Sequence, residues 1–344
     1  MSSLLTSLKP GYYLGIDCSG SHTEAVIADE SGFILGSGGC ETGANPHNTS
    51  LESIFEAIRT STMEAQKDAT RSYPERDIKH YEAACIGMAG FDTPNDQERI
   101  RKSLLELPSE QRFHLNRIII VNDGLAALRA GTDRLWGISL LAGTGSSCYA
   151  ISPSGKEAKA GGWGFLLGDQ GSGYAIGKAI IQQVVKELDG RARPTKLTAK
   201  VLKDLRLKEP SDLVQWAYGS ATMPIRETAA LSILYEDRDL ANCIELADIG
   251  SQAINELILA FDAVIQQVSF PPGIKIPVVL SGGLFAAKGR ILSQVSEAIT
   301  NRCPQADIIH PTRSSAEGAV NIAQAGERLA AYSESAILMI NPDK

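Results

Sequence analysis

No apolar run among the 344 residues approaches the roughly 18 that a membrane-spanning helix needs. The N-terminal "MSSLLTSLKPG" has too short an apolar stretch and no basic region, so no secretory leader is expected. Lysine and arginine (33) are outnumbered by aspartate and glutamate (40), with no basic cluster, which argues against a nucleic-acid partner. Six cysteines are scattered without a CxxC pair, and five histidines form no HExxH, so zinc and iron–sulfur readings are weak. Scattered thiols of this kind fit buried positions in a reducing cytoplasm. No Walker A loop is present. The nearest approach, "GSGYAIGKA", has the wrong gap and puts Ala179 where a magnesium-binding hydroxyl belongs. No GxGxxG opens a strand–helix unit, which removes the usual dinucleotide site.

Against these absences stands a repeat. "YYLGID", "TEAVIAD" and "FILGSG" read as three strands joined by Gly/Ser turns, a β-meander. A helical pattern over 49–68 follows, with Leu51, Ile54, Phe55, Ile58 and Met63 roughly on one face. Then come the strand "ACIGMAG", a helix over 95–106, the strand "RIIIVND" and a helix "GLAALRAG". Roughly 125 residues after the first meander, "GISLLAG", "SCYAIS" and "KEAKAGG" repeat it, with Gly145-Ser146 answering Gly20-Ser21. A helical insert over about 171–270 precedes "IPVVLSGG", a helix over 286–301, the strand "ADIIH" and a last helix, "SSAEGAVNIAQAGERLAAY". In that helix Ser314 and Glu317 have capping-box spacing. The expectation is two similar α/β domains, 1–131 and 132–344, with a site in the cleft between them.

Two turns hold matched places in the halves: "DCSGSHT" and "AGTGSS". Small residues there let backbone N–H groups approach an anion, and the hydroxyls of Ser21, Thr144 and Ser146 add donors. A plain hairpin turn is the alternative for each.

Asp123 follows the apolar Ile118–Val121 run and precedes a helix. An acid there reads either as an N-cap or as a group facing the crevice at the strands' carboxyl ends. Asp17 closes the first strand, as a turn acid or as an orienter of Mg²⁺ through water. Asp169 sits in "GGWGFLLGDQGSGYAIG", where seven of seventeen residues are glycine. It reads as the cap of the helix beginning near Gly173 or as a ligand-facing carboxylate.

"LGIDCSGSHTEAVIAD", "VNDGLAAL", "LAGTGSSCYAI", "GGWGFLLGDQGSGYAIG", "LSGGL" and "SSAEGAVNIA" together resemble the N-acetylglucosamine kinase branch of the actin-like ATPase and sugar kinase superfamily, with its relatives the activator ATPases of 2-hydroxyacyl-CoA dehydratases. The motifs run from about 12 to 325. The resemblance implies duplicated ribonuclease-H-like domains and transfer of the ATP γ-phosphate to the 6-hydroxyl of an amino sugar, N-acetylglucosamine first. Glucosamine, N-acetylmannosamine and N-acetylmuramate stay open. It implies Asp123 as base and Asp17 on Mg²⁺. Asn45, Thr144, Gly145, Trp163, Gly164 and Asp169 would face the sugar; Trp163 has a core position as its alternative. Ser19, Gly20, Ser21, Thr144 and Ser146 would hold the phosphates, and Gly282 and Gly283 would underlie the adenosine. "MAGFD" (88–92) ends another strand and is a further candidate lining.

The family often follows its first acid with Gly-Gly. Here Cys18-Ser19 follow, which makes the loop bulkier and puts phosphate contacts at those two residues in question. The zinc motifs of the repressor and glucokinase group are missing. Expected partners are ATP, an amino sugar and a second copy of the chain as a homodimer, in the cytoplasm. A dehydratase activator with a shared iron–sulfur cluster, or a sugar sensor without turnover, would be the other classes.

Overall fold

The computed structural model describes residues 11–47, 49–78, 80–106, 117–219, 223–286, 289–325 and 337–340. Residues 326–332 of the expected last helix, and 287–288 of the expected helix 286–301, lie outside these. The chain divides into two compact units, Met1–Asp133 with Thr312–Lys344, and Arg134–Pro311.

The first unit opens with β1 (Tyr12–Cys18), β2 (Thr23–Asp29) and β3 (Ile34–Cys40). These pair antiparallel as the expected meander. Helix α1 (Leu51–Ser72), β4 (Ala83–Met88), α2 (Pro94–Glu106), β5 (Ile118–Asn122) and α3 (Asp123–Gly131) follow. β4 and β5 join β1 in parallel. Their near-continuous apolar sequences follow from that placement, since such strands are covered on both faces; every residue of β4 and of β5 is buried. Ser50 caps α1 by accepting from the Ser53 N–H, and the helix buries Ile54, Ala57, Ile58, Ala65 and Ala69 at helical spacing. Met63, expected on that face, points to solvent instead.

The second unit repeats the plan. β6 (Gly137–Ala142), β7 (Ser146–Ile151) and β8 (Glu157–Gly161) form the second meander. The short α4 (Gly164–Leu167) comes next, then the helical insert α5 (Gly173–Leu188), α6 (Lys196–Asp204), α7 (Asp212–Tyr218), α8 (Ile225–Ala230) and α9 (Ile244–Gln267), with 3₁₀ turns between α8 and α9. β9 (Ile276–Ser281), α10 (Gly283–Ala286), α11 (Arg290–Arg302) and β10 (Ala306–Ile309) complete it. The sheet order β10-β9-β6-β7-β8 matches β5-β4-β1-β2-β3 strand for strand, so both units carry the ribonuclease-H-like arrangement. The insert covers its sheet, with Ile176, Ile180, Leu257 and Phe261 packed among Ile138, Leu140, Val278 and Leu280.

The chain's end departs from the expected 132–344 domain. Helix α12 (Ser315–Ala325) and β11 (Ile337–Ile340) belong with the first unit. β11 pairs antiparallel with β5, extending that sheet to six strands. α12 packs on β1 and α3, with Asn321 donating to the Arg129 carbonyl and Gln324 to that of Asp29. The reason is coverage: the face of β1 and β2 carrying Val26 and Ala28 is closed by Ala316 and Val320 of α12.

Candidate functional site

In the first unit the site residues gather at the carboxyl ends of β1, β4 and β5. Asp17 is the penultimate residue of β1, facing Glu24 across the meander and Gly87 on β4. Burial, then the charges of Asp123 and Glu24, push its carboxyl from an ordinary 3.8 up to about 8. Desolvation and neighbouring acids on one carboxyl are the pattern expected of a functional position.

The helix-cap alternative for Asp123 is settled by its neighbour. Asn122 is the N-cap of α3, its Oδ1 accepting from the Gly124 N–H at 2.8 Å. Asp123 therefore stands in the first helical turn, where its Oδ1 also accepts from Gly124 at 2.9 Å. Asn122 donates through Nδ2 to Asp92 Oδ1 at 2.7 Å. Asp92 is the last residue of the candidate "MAGFD" segment, and Asn122 is signalled in the sequence only by two cap-type residues in a row, Asn-Asp, of which only one can cap.

The first hairpin turn is organised by Ser19. Its Oγ accepts from the N–H groups of Ser21 (3.3 Å) and His22 (3.1 Å) and lies 2.8 Å from His22 Nδ1. The turn's own serine thus occupies two N–H groups that a phosphate would seek, while Gly20 faces open space. The 41–47 loop docks here through the Ala44 N–H to the Ser19 carbonyl, at 2.9 Å. It carries Asn45, whose Oδ1 accepts from the His47 N–H at 2.9 Å. Asn45 packs on Gly90, where a Cβ would lie 2.5 Å from its Oδ1. The "MAGFD" segment and Asn45 are therefore in contact.

In the second unit Asp169 lies against the second hairpin turn. A Cβ at Gly145 would stand 2.8 Å from Asp169 Oδ2, so only glycine allows this approach. Asp169 is buried and adopts φ +58°, a left-handed backbone that Asp tolerates better than most residues. It does not cap α5. Ser172 does, accepting from the Ala175 N–H at 3.1 Å. Thr144 is tied to the same helix by the Tyr174 N–H on its carbonyl, at 3.3 Å. Ser146 is buried and its Oγ donates to the Gln170 carbonyl at 2.8 Å. That bond ties the turn to the Asp169 loop.

Trp163 is 73% exposed, which removes the core alternative, and Leu166 and Leu167 beside it are also exposed. Gly161, Gly162 and Gly164 around it all have positive φ. Gly282, with φ +103°, ends β9 against Ala142, and a Cβ at Gly143 would stand 3.7 Å from the Gly283 N. The Gly282-Gly283 pair therefore borders the second hairpin turn.

The model of the BadF/BadG/BcrA/BcrD ATPase family matches residues 14–323. The chain is 30% identical over 316 residues to the N-acetylmuramic acid/N-acetylglucosamine kinase of Clostridium acetobutylicum, covering 91% of this chain and 98% of that one. It is 31% identical over 317 residues to the N-acetyl-D-glucosamine kinase of Dictyostelium discoideum, covering 90% and 97%. Among solved structures it resembles a Chromobacterium violaceum protein assigned as an N-acetylglucosamine kinase, with TM-score 0.69, 23% identity and coverage of 90% and 98%. That last likeness speaks to the fold.

Proposed function

The chain belongs to the BadF/BadG/BcrA/BcrD ATPase family, and on that premise we propose that it is an ATP-dependent kinase phosphorylating the 6-hydroxyl of an amino sugar, N-acetylglucosamine first. Both curated relatives named above carry N-acetylglucosamine kinase activity in their names and match over nearly their full lengths. The observation that carries the reading at the atomic level is Asp123 at the end of β5, with the cap duty held by Asn122. Asp123 takes the proton from the sugar O6 as O6 bonds to the γ-phosphorus and the bond to the β-phosphate oxygen breaks, releasing ADP.

Asn45, Thr144, Gly145, Trp163, Gly164 and Asp169 are the sugar-facing group in this reading. Asp169 suits hydroxyl donors because bonds to a charged acceptor are about twice as strong as neutral ones. The exposed Trp163 ring offers a sugar its apolar face. Ser19, Gly20, Ser21 and Thr144 take the phosphates, and Gly282 and Gly283 take the adenosine. Ser146 joins the phosphate-holding residues from the second turn, its Oγ bond to the Gln170 carbonyl bracing that turn against the Asp169 loop.

The residues present fit Mg²⁺. The donors here are hard carboxylate oxygens: Asp17 is held protonated by burial first and then by the charges of Asp123 and Glu24, a site that a cation would relieve. Among the described residues no three His, Cys, Asp or Glu are arranged to hold a metal alone. That suits an ion kept largely by water and phosphate oxygens. When bound, Mg²⁺ neutralises phosphate charge; Asp17 would hold it.

The iron–sulfur alternative fares worse. Cys18, Cys85 and Cys148 are buried, and burial pushes each thiol up, away from the thiolate that a cluster needs. A homodimer, and a cytoplasmic setting where ATP is available, complete the proposal; among the described residues no helix is long and apolar enough to cross a membrane.

An ADP-coupled assay with N-acetylglucosamine, N-acetylmuramate, glucosamine, N-acetylmannosamine and glucose tests it. Sugar-dependent ADP release, greatest with N-acetylglucosamine, is expected. Sugar binding without turnover, or hydrolysis indifferent to sugar, contradicts it.

A further inference from the structure

Asp92 stands in the loop after β4, and its carboxylate holds the side chain of a residue on the next strand. Asn122 Nδ2 donates to Asp92 Oδ1 at 2.7 Å, while Asn122 Oδ1 accepts from the Gly124 N–H at 2.8 Å. The two bonds fix the amide's orientation between them. A carboxylate accepts only, so the NH₂ end must face Asp92; an N–H donates only, so the carbonyl end must face Gly124. Asn122 is buried, and it is the cap of α3. The same Gly124 N–H also bonds Asp123 Oδ1 at 2.9 Å. Asp92, Asn122, Gly124 and Asp123 thus form a continuous chain of hydrogen bonds ending on the acid at the tip of β5.

We propose that Asp92 is a positioning residue for phosphoryl transfer: by locking the Asn122 amide it sets the first turn of α3 and the direction in which Asp123 presents its carboxylate. Without Asp92, the Asn122 amide keeps only its bond from the Gly124 N–H and is free to swing away from the helix start. The cap is lost, the Gly124 N–H falls to Asp123 alone, and the acid is drawn into capping. The alternation between cap and base that the sequence leaves open at Asp123 is thereby decided by a residue 31 positions earlier. Asp92 is exposed along its loop, so its removal leaves no cavity. The proposal rests on the reading of Asp123 as the base.

The test uses the full chain with ATP, Mg²⁺ and N-acetylglucosamine, measuring kcat by ADP release and sugar affinity by calorimetry. Asp92→Ala is expected to lower kcat about tenfold or more, since small displacements of a reacting group cost rate steeply, with sugar affinity held within about twofold. Asp92→Asn, whose carbonyl can accept the same N–H, is expected to restore most of the rate. Asn122→Ser keeps a capping oxygen but loses the Nδ2 amide that reaches Asp92, its shorter hydroxyl being engaged at the cap, and is expected to fall with Asp92→Ala; it carries the test if Asp92→Ala does not fold. In an Asp123→Asn background, Asp92→Ala is expected to cost nothing further. Full kcat in Asp92→Ala or Asn122→Ser, a loss confined to sugar affinity, or additive losses in the double variant would overturn the proposal. The two failures are distinct: an inactive Asp123→Asn with an unimpaired Asp92→Ala removes this proposal alone, whereas an active Asp123→Asn removes the base reading beneath it.

Discussion

Asp169 rests on Gly145: its carboxylate covers the glycine so closely that a Cβ there would stand 2.8 Å from Oδ2 and 3.1 Å from Cγ. The turn that opens the second meander and the acid of the glycine-rich stretch are therefore one fitted unit. Gly145→Ala must push the carboxylate away. The expected result is a rise in the KM for sugar of roughly tenfold or more, the scale of a displaced polar contact, with the KM for ATP less affected. Steady-state kinetics varying each substrate checks it.

Ser172, and not Asp169, caps α5. Ser172→Ala should cost about 1 kcal/mol of stability, read as a lower Tm. Asp169→Asn should lower Tm less and abolish measurable sugar binding by calorimetry. The reverse pattern would assign the cap to Asp169.

Asp17 carries a pH signature. Its folded value is about 8 against an ordinary 3.8. The folded chain therefore keeps the Asp17 proton between about pH 4 and 8, where the unfolded chain has released it. Stability from this group is fully present below pH 4 and is lost as pH rises toward 8. In the absence of metal and nucleotide, Asp17→Asn should raise Tm at pH 8, and the gap over the parent should narrow toward pH 5. Turnover should be lost at every pH. Thermal melts across that range decide it, and parallel melting profiles would count against the crowded-acid account.

Trp163 is exposed and its neighbours Leu166 and Leu167 share that exposure. Trp163→Ala should leave Tm within about 1 °C, since surface changes stay within roughly 0.5 kcal/mol. It should weaken sugar binding, measured by the quenching of intrinsic fluorescence in the parent and by calorimetry in the variant.

Much of the architecture is legible because its punctuation is chemical. Gly-Ser and Ser-Gly pairs mark the hairpins of both meanders, and the buried parallel strands are written as apolar runs such as Ile118–Val121. The return of the chain to the first unit was not legible. The pattern of α12 says that it has an apolar face, but not which sheet that face covers, and β11 is only four residues long. Within the site, Asp17, Asp123 and Asp169 stand out by residue type at strand and turn ends. The division of labour around them does not. Asn122 and Asp123, or Asp169 and Ser172, are all competent caps, and geometry alone decides which one is used. The partner of Ser146 is hidden for a related reason: a hydroxyl in a turn can serve a carbonyl as well as a phosphate, and Gln170 supplies the carbonyl.

The central claim is that Asp123 draws a proton from a sugar alcohol so that phosphate passes to it. Phosphorus-31 spectra of ATP, Mg²⁺ and N-acetylglucosamine incubated with the parent chain and with Asp123→Asn test this most directly. The account expects a sugar 6-phosphate resonance growing with ADP for the parent, and a rate lower by roughly 10²–10⁴-fold for the variant while calorimetry still finds it binding sugar. Inorganic phosphate as the sole product, or a sugar phosphate formed at the parent rate by Asp123→Asn, would contradict it.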